Sequence, residues 1–461
     1  MTRVAVLGGG ISGLTAAYRL RTLLGPAAVI DLFEASPVLG GTLRTAELDG
    51  HHVDVGAEAF LVRRPEVAAL VDELGLTPSL VHPGVLGPNV LSGSTLKAMA
   101  RPTVMGIPGG PDAVRHLAEA DDLARMADEP QRPLDWQAGQ DMSIGALIGD
   151  RFGRSIVDRS VDPMLGGVYS ARADDLGVRA VVPALAARLD AGAPSLTAAV
   201  TDLLAASGGS GPVFGALAGG YRQLVDELGH RCAAGIHTGV AIRQLIRAGS
   251  GWMVDDARYD GVVAALPAPV LARVCATVPE VAEPLTRVDL SGSAVVSLAL
   301  EAGVDLPQLS GVLVASDESL VHAKAFTFST RKWNHLAEDA VLVRVSFGRY
   351  GTDLENIEDD QLIDWAVADL ATVIALAGGG EVRVGPRDAV VQRWPGGLPR
   401  YAPGHASLVA EVDRSRPPGL VLAGATFDGV GVPACVGRAD RAARQLVADL
   451  AVGGPRSTHL R

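Results

Sequence analysis

The chain has 461 residues, more than one hydrophobic core usually supports, which predicts two or three domains with room to bury a sizeable ligand. Hydrophobic residues make up 48% and charged residues 20%, which excludes a disordered or fibrous chain. A formal net charge of −12 excludes a nucleic-acid partner and broad docking on anionic lipid, since both need a basic face, and any anionic substrate would need a local cationic pocket.

The N-terminus enters a strand at Val4 without the basic region and cleavable apolar stretch of a secretory signal, so a cytoplasmic protein is expected. Residues 4–7 read as an apolar strand, 14–24 as a helix stopped by Gly25 and Pro26, and 28–33 as a second strand. This βαβ opening predicts an α/β fold with a parallel sheet and a ligand at the strand ends. Between the first strand and the helix stands GGGISG, comprising Gly8, Gly9, Gly10, Ile11, Ser12 and Gly13. Gly8 permits a tight turn, Gly10 lets backbone approach a pyrophosphate, and Gly13 lets helix and strand pack closely. Glu34, at the end of the second strand, is placed to accept ribose hydroxyls. This motif predicts a dinucleotide and leaves NAD and FAD both open.

Residues 111–206 carry helical spacing and end in a Gly/Ser run at 207–212, read as a flexible linker. Short strands are expected at 241–246, 251–255, 261–266, 294–300, 311–314 and 341–347. No stretch supplies the roughly 20 apolar residues of a membrane span, which leaves only peripheral membrane contact open. Cys232, Cys275 and Cys435 are too scattered for a disulfide framework or zinc site and fit a reducing compartment. His51, His52 and His405 lack partners at ligand spacing, so no metal is assigned.

The continuation EASPVLGGTLRT, residues 34–45, resembles the signature of the amine oxidase flavoprotein superfamily. That resemblance implies FAD and a Rossmann-like FAD-binding domain, a mixed-sheet substrate domain and a helical insertion. It places Ala35, Gly40, Gly41, Thr42 and Arg44 along the cofactor's phosphates and ribityl chain, where an Arg forms charge-assisted bonds. VDVGAEAFLVRR, residues 53–64, resembles the next family element and implies that Gly56, Ala57, Glu58 and Ala59 lie against the flavin. The segment 420–443 resembles the terminal strand, Gly turn and helix, with Val432, Pro433 and Ala434 as contacts. Val240 resembles the position whose backbone holds the adenine, and Trp394 a neighbour of the flavin.

Two further segments, DPMLGGVYSARADDL at 162–176 and RWPGGLPRYAPGH at 393–405, are similar to the oxygen-dependent porphyrinogen oxidases, in their soluble bacterial branch. The second has no Cys for a covalent link, so the FAD is expected to be noncovalent. The resemblance implies oxidation of coproporphyrinogen III to coproporphyrin III in haem synthesis by repeated hydride transfer, with oxygen as acceptor and hydrogen peroxide as product. Protoporphyrinogen IX, another amine oxidase-type reaction, and a porphyrin or flavin carrier remain the competing readings. The flavin carries the chemistry, so no catalytic side chain is assigned. Arg64, Arg172 and Lys332 are the candidate partners of substrate propionates, each against the alternative of a solvated cation. Other haem-synthesis enzymes are expected as transient partners.

The expected division is 1–85, 207–285 and 391–453 for FAD, 86–206 as a mainly helical insertion, 286–390 as the substrate sheet and 454–461 as a flexible tail.

Overall fold

The first strand, β1 (Arg3–Leu7), is buried from Val4 onward on both faces, as its unbroken apolar run requires of a central parallel strand. It leads through the glycine turn into helix α1 (Ile11–Leu24) and back to β2 (Val29–Glu34), which pairs parallel to β1. The computed structural model describes residues 1–206, 211–336, 340–380 and 384–453. The expected tail at 454–461 and most of the expected linker lie outside the described residues.

Three strands from distant segments complete a five-stranded parallel sheet. Gly235–Thr238 adds beyond β2, while Gly261–Ala264 and then Leu420–Leu422 add on the far side of β1. The strand order therefore reverses direction at β1, and the crevice outside its carboxyl end is where such sheets take ligands. The terminal helix Val432–Gly453 packs on α1, with Ala16, Ala17 and Leu20 sharing a core with Ala439, Ala443 and Leu446. Alanine at this contact lets the two helix axes approach closely, and because each helix comes after a strand of the same parallel sheet, both N-termini lie at its carboxyl end.

A seven-stranded sheet forms the second layer, in the order Pro386–Pro399, Leu290–Leu300, Val341–Phe347, Ala325–Phe328, Gly311–Val314, Asn89–Ser92 and Thr95–Ala98. It takes residues 89–98 out of the expected helical insertion and crosses the expected boundary at 391. Asn89–Ser92 pairs parallel to Gly311–Val314, and Pro386–Pro399 runs the length of Leu290–Leu300. The helical segment proper starts at Ala120 and reaches Ala206, around its own core of Ile148, Phe152, Leu165 and Leu185.

The strand expected at 241–246 lies instead at Leu245–Ala248, in a small antiparallel sheet with Gly251–Val254 and Ala257–Tyr259. Asp255 explains the shift, since its carboxylate takes the backbone N–H of Arg243 and Gln244 and keeps them out of a ladder. By length and composition, the stretch Asp359–Gly378 is apolar enough to cross a membrane, unlike the expectation from sequence. Its Leu362, Ala366, Leu370 and Val373 are buried in one core with Val343, Val345 and Phe347 of the seven-stranded sheet.

Candidate active site: a dinucleotide cradle beside a sheet

The turn after β1 is built from glycine because side chains do not fit. Gly8 has φ +101°, and a Cβ on Gly13 would stand 1.8 Å from the Gly8 carbonyl oxygen. Gly10 differs: a Cβ there would meet nothing nearer than 3.9 Å, so its face is open. Gly10 caps α1 with neither a side-chain hydrogen bond nor an acidic residue in the first turn, leaving N–H groups of Ile11 to Gly13 directed at that space. Gly40 lies across it, donating its N–H to the Gly9 carbonyl at 2.9 Å, and Gly41 (φ +59°) packs on the Gly10 Cα. Thr42 is exposed at this rim, and the half-buried Arg44 guanidinium has no protein partner among the described residues.

Glu34 sits where a ribose is expected, with both oxygens already engaged. They accept the N–H of Gly9 and of Ser36, each at 2.7 Å, and each oxygen keeps a further acceptor site. Ala35 is exposed beside it. The Val240 N–H donates to the Glu34 carbonyl at 2.9 Å, which ties the exposed Val240 to the end of β2 and commits its N–H within the protein.

Gly56 is wedged against the opposite wall. A Cβ on it would stand 1.9 Å from the Thr42 carbonyl oxygen and 3.0 Å from the Trp394 ring. Trp394 donates its indole N–H to the Val55 carbonyl at 3.1 Å, and Ala57 donates to the Thr42 carbonyl at 3.2 Å. The register break opposite Gly292, between Ser291 and Ser293, turns Trp394 toward this segment. Ala59 is half-buried at the end of the segment. Val432, Pro433 and Ala434 begin the terminal helix and are buried; the buried Ser12 hydroxyl donates to the Cys435 carbonyl at 3.4 Å, so the two helix starts touch.

Glu58 is committed to partners within the protein. Its carboxylate receives Lys332 Nζ at 2.6 Å and Trp333 Nε1 at 2.9 Å, with Arg344 Nη1 at 3.7 Å. Burial alone would raise its pKa, but the Lys332 and Arg344 charges outweigh that and hold it at about 2. Lys332, expected at a propionate, is thus committed to Glu58. Arg64 caps the helix Pro65–Glu73 and pairs with Glu66 at 2.5 Å at the surface. Of the three expected cations, only Arg172 has a guanidinium without an ion pair among the described residues.

A family model for flavin-containing amine oxidoreductases matches residues 11–447. The chain belongs to that family. It is 46% identical to coproporphyrinogen III oxidase of Mycobacterium leprae, over 97% of this chain and 98% of that protein. Identity to coproporphyrinogen III oxidase of Bacillus subtilis is 28%, over 94% of this chain and 95% of that one. A solved structure from Exiguobacterium sp. 255-15, described provisionally as a protoporphyrinogen oxidase, superposes with a TM-score of 0.83 at 27% identity, covering 98% of this chain and 99% of that one.

The residues present fit a flavin nucleotide. An open Gly10, two converging helix N-termini and an Arg44 without an ion pair among the described residues suit a pyrophosphate, which shares its charge among backbone donors and one guanidinium. Sequence reading missed Arg344, whose Nη2 donates to the Gly56 carbonyl at 2.7 Å, and Asp54, whose carboxylate binds Thr45 and the N–H of Tyr221. It also missed Lys324, although the alternation was visible: Lys324 shares a strand face with the buried Phe326 and Phe328.

Proposed function

We propose that this flavoprotein is an FAD-dependent oxidase that converts coproporphyrinogen III to coproporphyrin III. The observation that carries this reading is the 46% identity to the M. leprae coproporphyrinogen III oxidase, which runs the length of both chains. The chemistry that bound FAD would supply is hydride acceptance, with oxygen as final acceptor and hydrogen peroxide as product. The chain's part is to bind and orient. Gly8 to Gly13, Gly41, Thr42 and Arg44 would hold the pyrophosphate, Glu34 and Val240 would frame the adenosine end, and the backbone of Gly56 to Ala59, with Trp394 and Val432 to Ala434, would enclose the ring. Glu58 is no proton acceptor here, because its carboxylate is locked to Lys332. Loss of a meso hydride leaves a conjugated cation, which one of the substrate's own pyrrole N–H groups neutralises by releasing its proton to water.

Noncovalent attachment fits the cysteines. All three are buried, and burial pushes the Cys435 thiol up to about 11 and Cys275 up to about 12, so neither is a thiolate at neutral pH. We assign residues 1–85, 207–285 and 391–453 mainly to FAD, with the sheet and the helical segment enclosing the porphyrinogen, and a cytoplasmic location.

The test is to mix the purified yellow protein with coproporphyrinogen III and, separately, protoporphyrinogen IX, in air and without it, following porphyrin fluorescence and flavin bleaching. Faster oxygen-dependent turnover of coproporphyrinogen supports the proposal. A reversed preference makes the chain a protoporphyrinogen oxidase, and absence of bleaching with both substrates ends the assignment.

A further inference from the structure

The helix Asp162–Tyr169 ends at Ser170, a non-glycine residue in the left-handed region with φ +49°. Three contacts hold Ser170 there. Its N–H donates to the Gly166 carbonyl at 3.2 Å, its carbonyl accepts Tyr350 N–H at 2.6 Å, and its hydroxyl binds Lys324 Nζ at 2.5 Å. Lys324 is 6% exposed, and its other partner is the Gly348 carbonyl at 2.7 Å. Both partners are neutral. Burial and the neighbouring Arg349 charge push the Lys324 ammonium down to about 7.

Arg349 is itself half-buried, donates to the Val314 carbonyl at 3.2 Å, and leaves its buried Nε without a partner. The charge of Arg172 is felt at Arg349. Two carboxylates lie near the group: Asp162, whose charge is felt at Arg349 and whose buried Oδ2 has no hydrogen-bond partner, and Asp175. Asp162 accepts Ala173 N–H at 2.6 Å, and Asp175 accepts Arg172 N–H at 3.3 Å. Among the described residues, none of the three cations has an ion-pair partner. The buried Lys324 ammonium and the half-buried Arg349, with Arg172 at the surface beside them, outnumber the one carboxylate whose charge reaches Arg349, and an anion would balance the excess.

Place identifies the anion. A Cβ on Gly348 would stand 3.3 Å from the Gly292 carbonyl, and one on Gly292 would stand 3.8 Å from that of Trp394. On the other side, Tyr169 packs on Tyr401 with ring centres 5.8 Å apart. The cluster thus lies two contacts from the residue that walls Gly56, on the sheet side of the crevice. We propose that Arg349 and Arg172, backed by Lys324, receive one carboxylate of the porphyrinogen. A planar guanidinium suits a carboxylate, and the macrocycle can lie toward Trp394 while its arm reaches this site. This rests on the substrate class proposed above and adds the residues that anchor it.

The test titrates the FAD-loaded protein with coproporphyrin III, the four-carboxylate product, and with two-carboxylate protoporphyrin IX, reading porphyrin fluorescence. Arg349→Gln and the exposed Arg172→Gln are compared with the unaltered chain, with melting temperature and flavin absorbance recorded for each. Loss of a charge-assisted contact weakens coproporphyrin binding about tenfold or more in each variant. If protoporphyrin weakens equally, the carboxylate is one that both molecules share; if it does not, the site takes one of the extra pair. Unchanged affinity in Arg172→Gln, with an unchanged melting temperature, overturns the proposal even if Arg349→Gln fails to fold. Absence of porphyrin binding by the unaltered protein instead overturns the substrate reading on which it rests.

Discussion

Lys332 Nζ lies 2.6 Å from Glu58 Oε2 across 274 positions of sequence, and this contact ties the segment beside Gly56 to the seven-stranded sheet. Both side chains are largely buried. Lys332→Met leaves the Glu58 carboxylate without its ammonium and is expected to cost about 3–5 kcal/mol, as for other broken buried pairs. Adding Glu58→Gln to that variant removes the stranded charge and should recover much of the loss. Urea unfolding of both singles and the double measures this. Strict additivity would show that the pair is not coupled.

Asp54 gives a pH dependence of definite sign. Burial is the chief cause that raises its pKa to about 6 from an ordinary 3.8. A carboxyl raised on folding stabilises below its unfolded pKa, and that contribution is lost as pH rises from about 4 through 6. The two values correspond to roughly 3 kcal/mol. Asp54→Asn should therefore gain on the unaltered protein across this interval and hold a constant lead above it. Melting temperatures of both proteins between pH 4 and 8 decide the matter, and a constant difference throughout rejects it.

Arg44 has no protein partner to lose among the described residues, so Arg44→Gln should leave the melting temperature of the flavin-free protein unchanged. Its FAD affinity should fall about tenfold or more, the worth of a charge-assisted hydrogen bond. Equilibrium dialysis of the apoprotein with FAD reads this directly. Unaltered affinity would remove Arg44 from the pyrophosphate site.

Gly56→Ala tests the opposite wall. The added methyl would meet the Thr42 carbonyl oxygen at 1.9 Å, so backbone must move. The variant should lose about 1–3 kcal/mol, as overpacked sites do, and retain less flavin after purification. Normal flavin content at unchanged stability would show that the wall is pliant.

The cofactor side of the molecule was legible because its constraints are local. Gly8, Gly10, Gly13 and Glu34 fall within one βαβ unit, and each obeys a steric or hydrogen-bonding rule that can be stated from spacing. The sheet was legible only in part. Asn89–Ser92 is four residues long, too short to show a period, and its partner lies far along the chain. The cations were less legible for another reason. Position in a motif singles out Arg64 and Lys332, but whether a cation is free depends on Glu66 and Glu58 standing beside it, which only the folded chain determines. Lys324 and Arg349 come together through strand pairing and a helix end from three separate segments, so no local spacing announces them.

The parallel pairing of Asn89–Ser92 with Gly311–Val314 also bears on synthesis. The first of these strands leaves the ribosome some tens of seconds before the second, since roughly 220 residues intervene at about 5–20 residues per second. During that time the hairpin Asn89–Ala98 has an open hydrogen-bonding edge and no sheet to join. The nucleotide half is no better placed, for its last strand, Leu420–Leu422, arrives near the end of translation. Neither layer can close until almost the whole chain exists, so the nascent protein must be kept from pairing with its neighbours, and a chain truncated before residue 420 should be captured by chaperones rather than accumulate as a folded half.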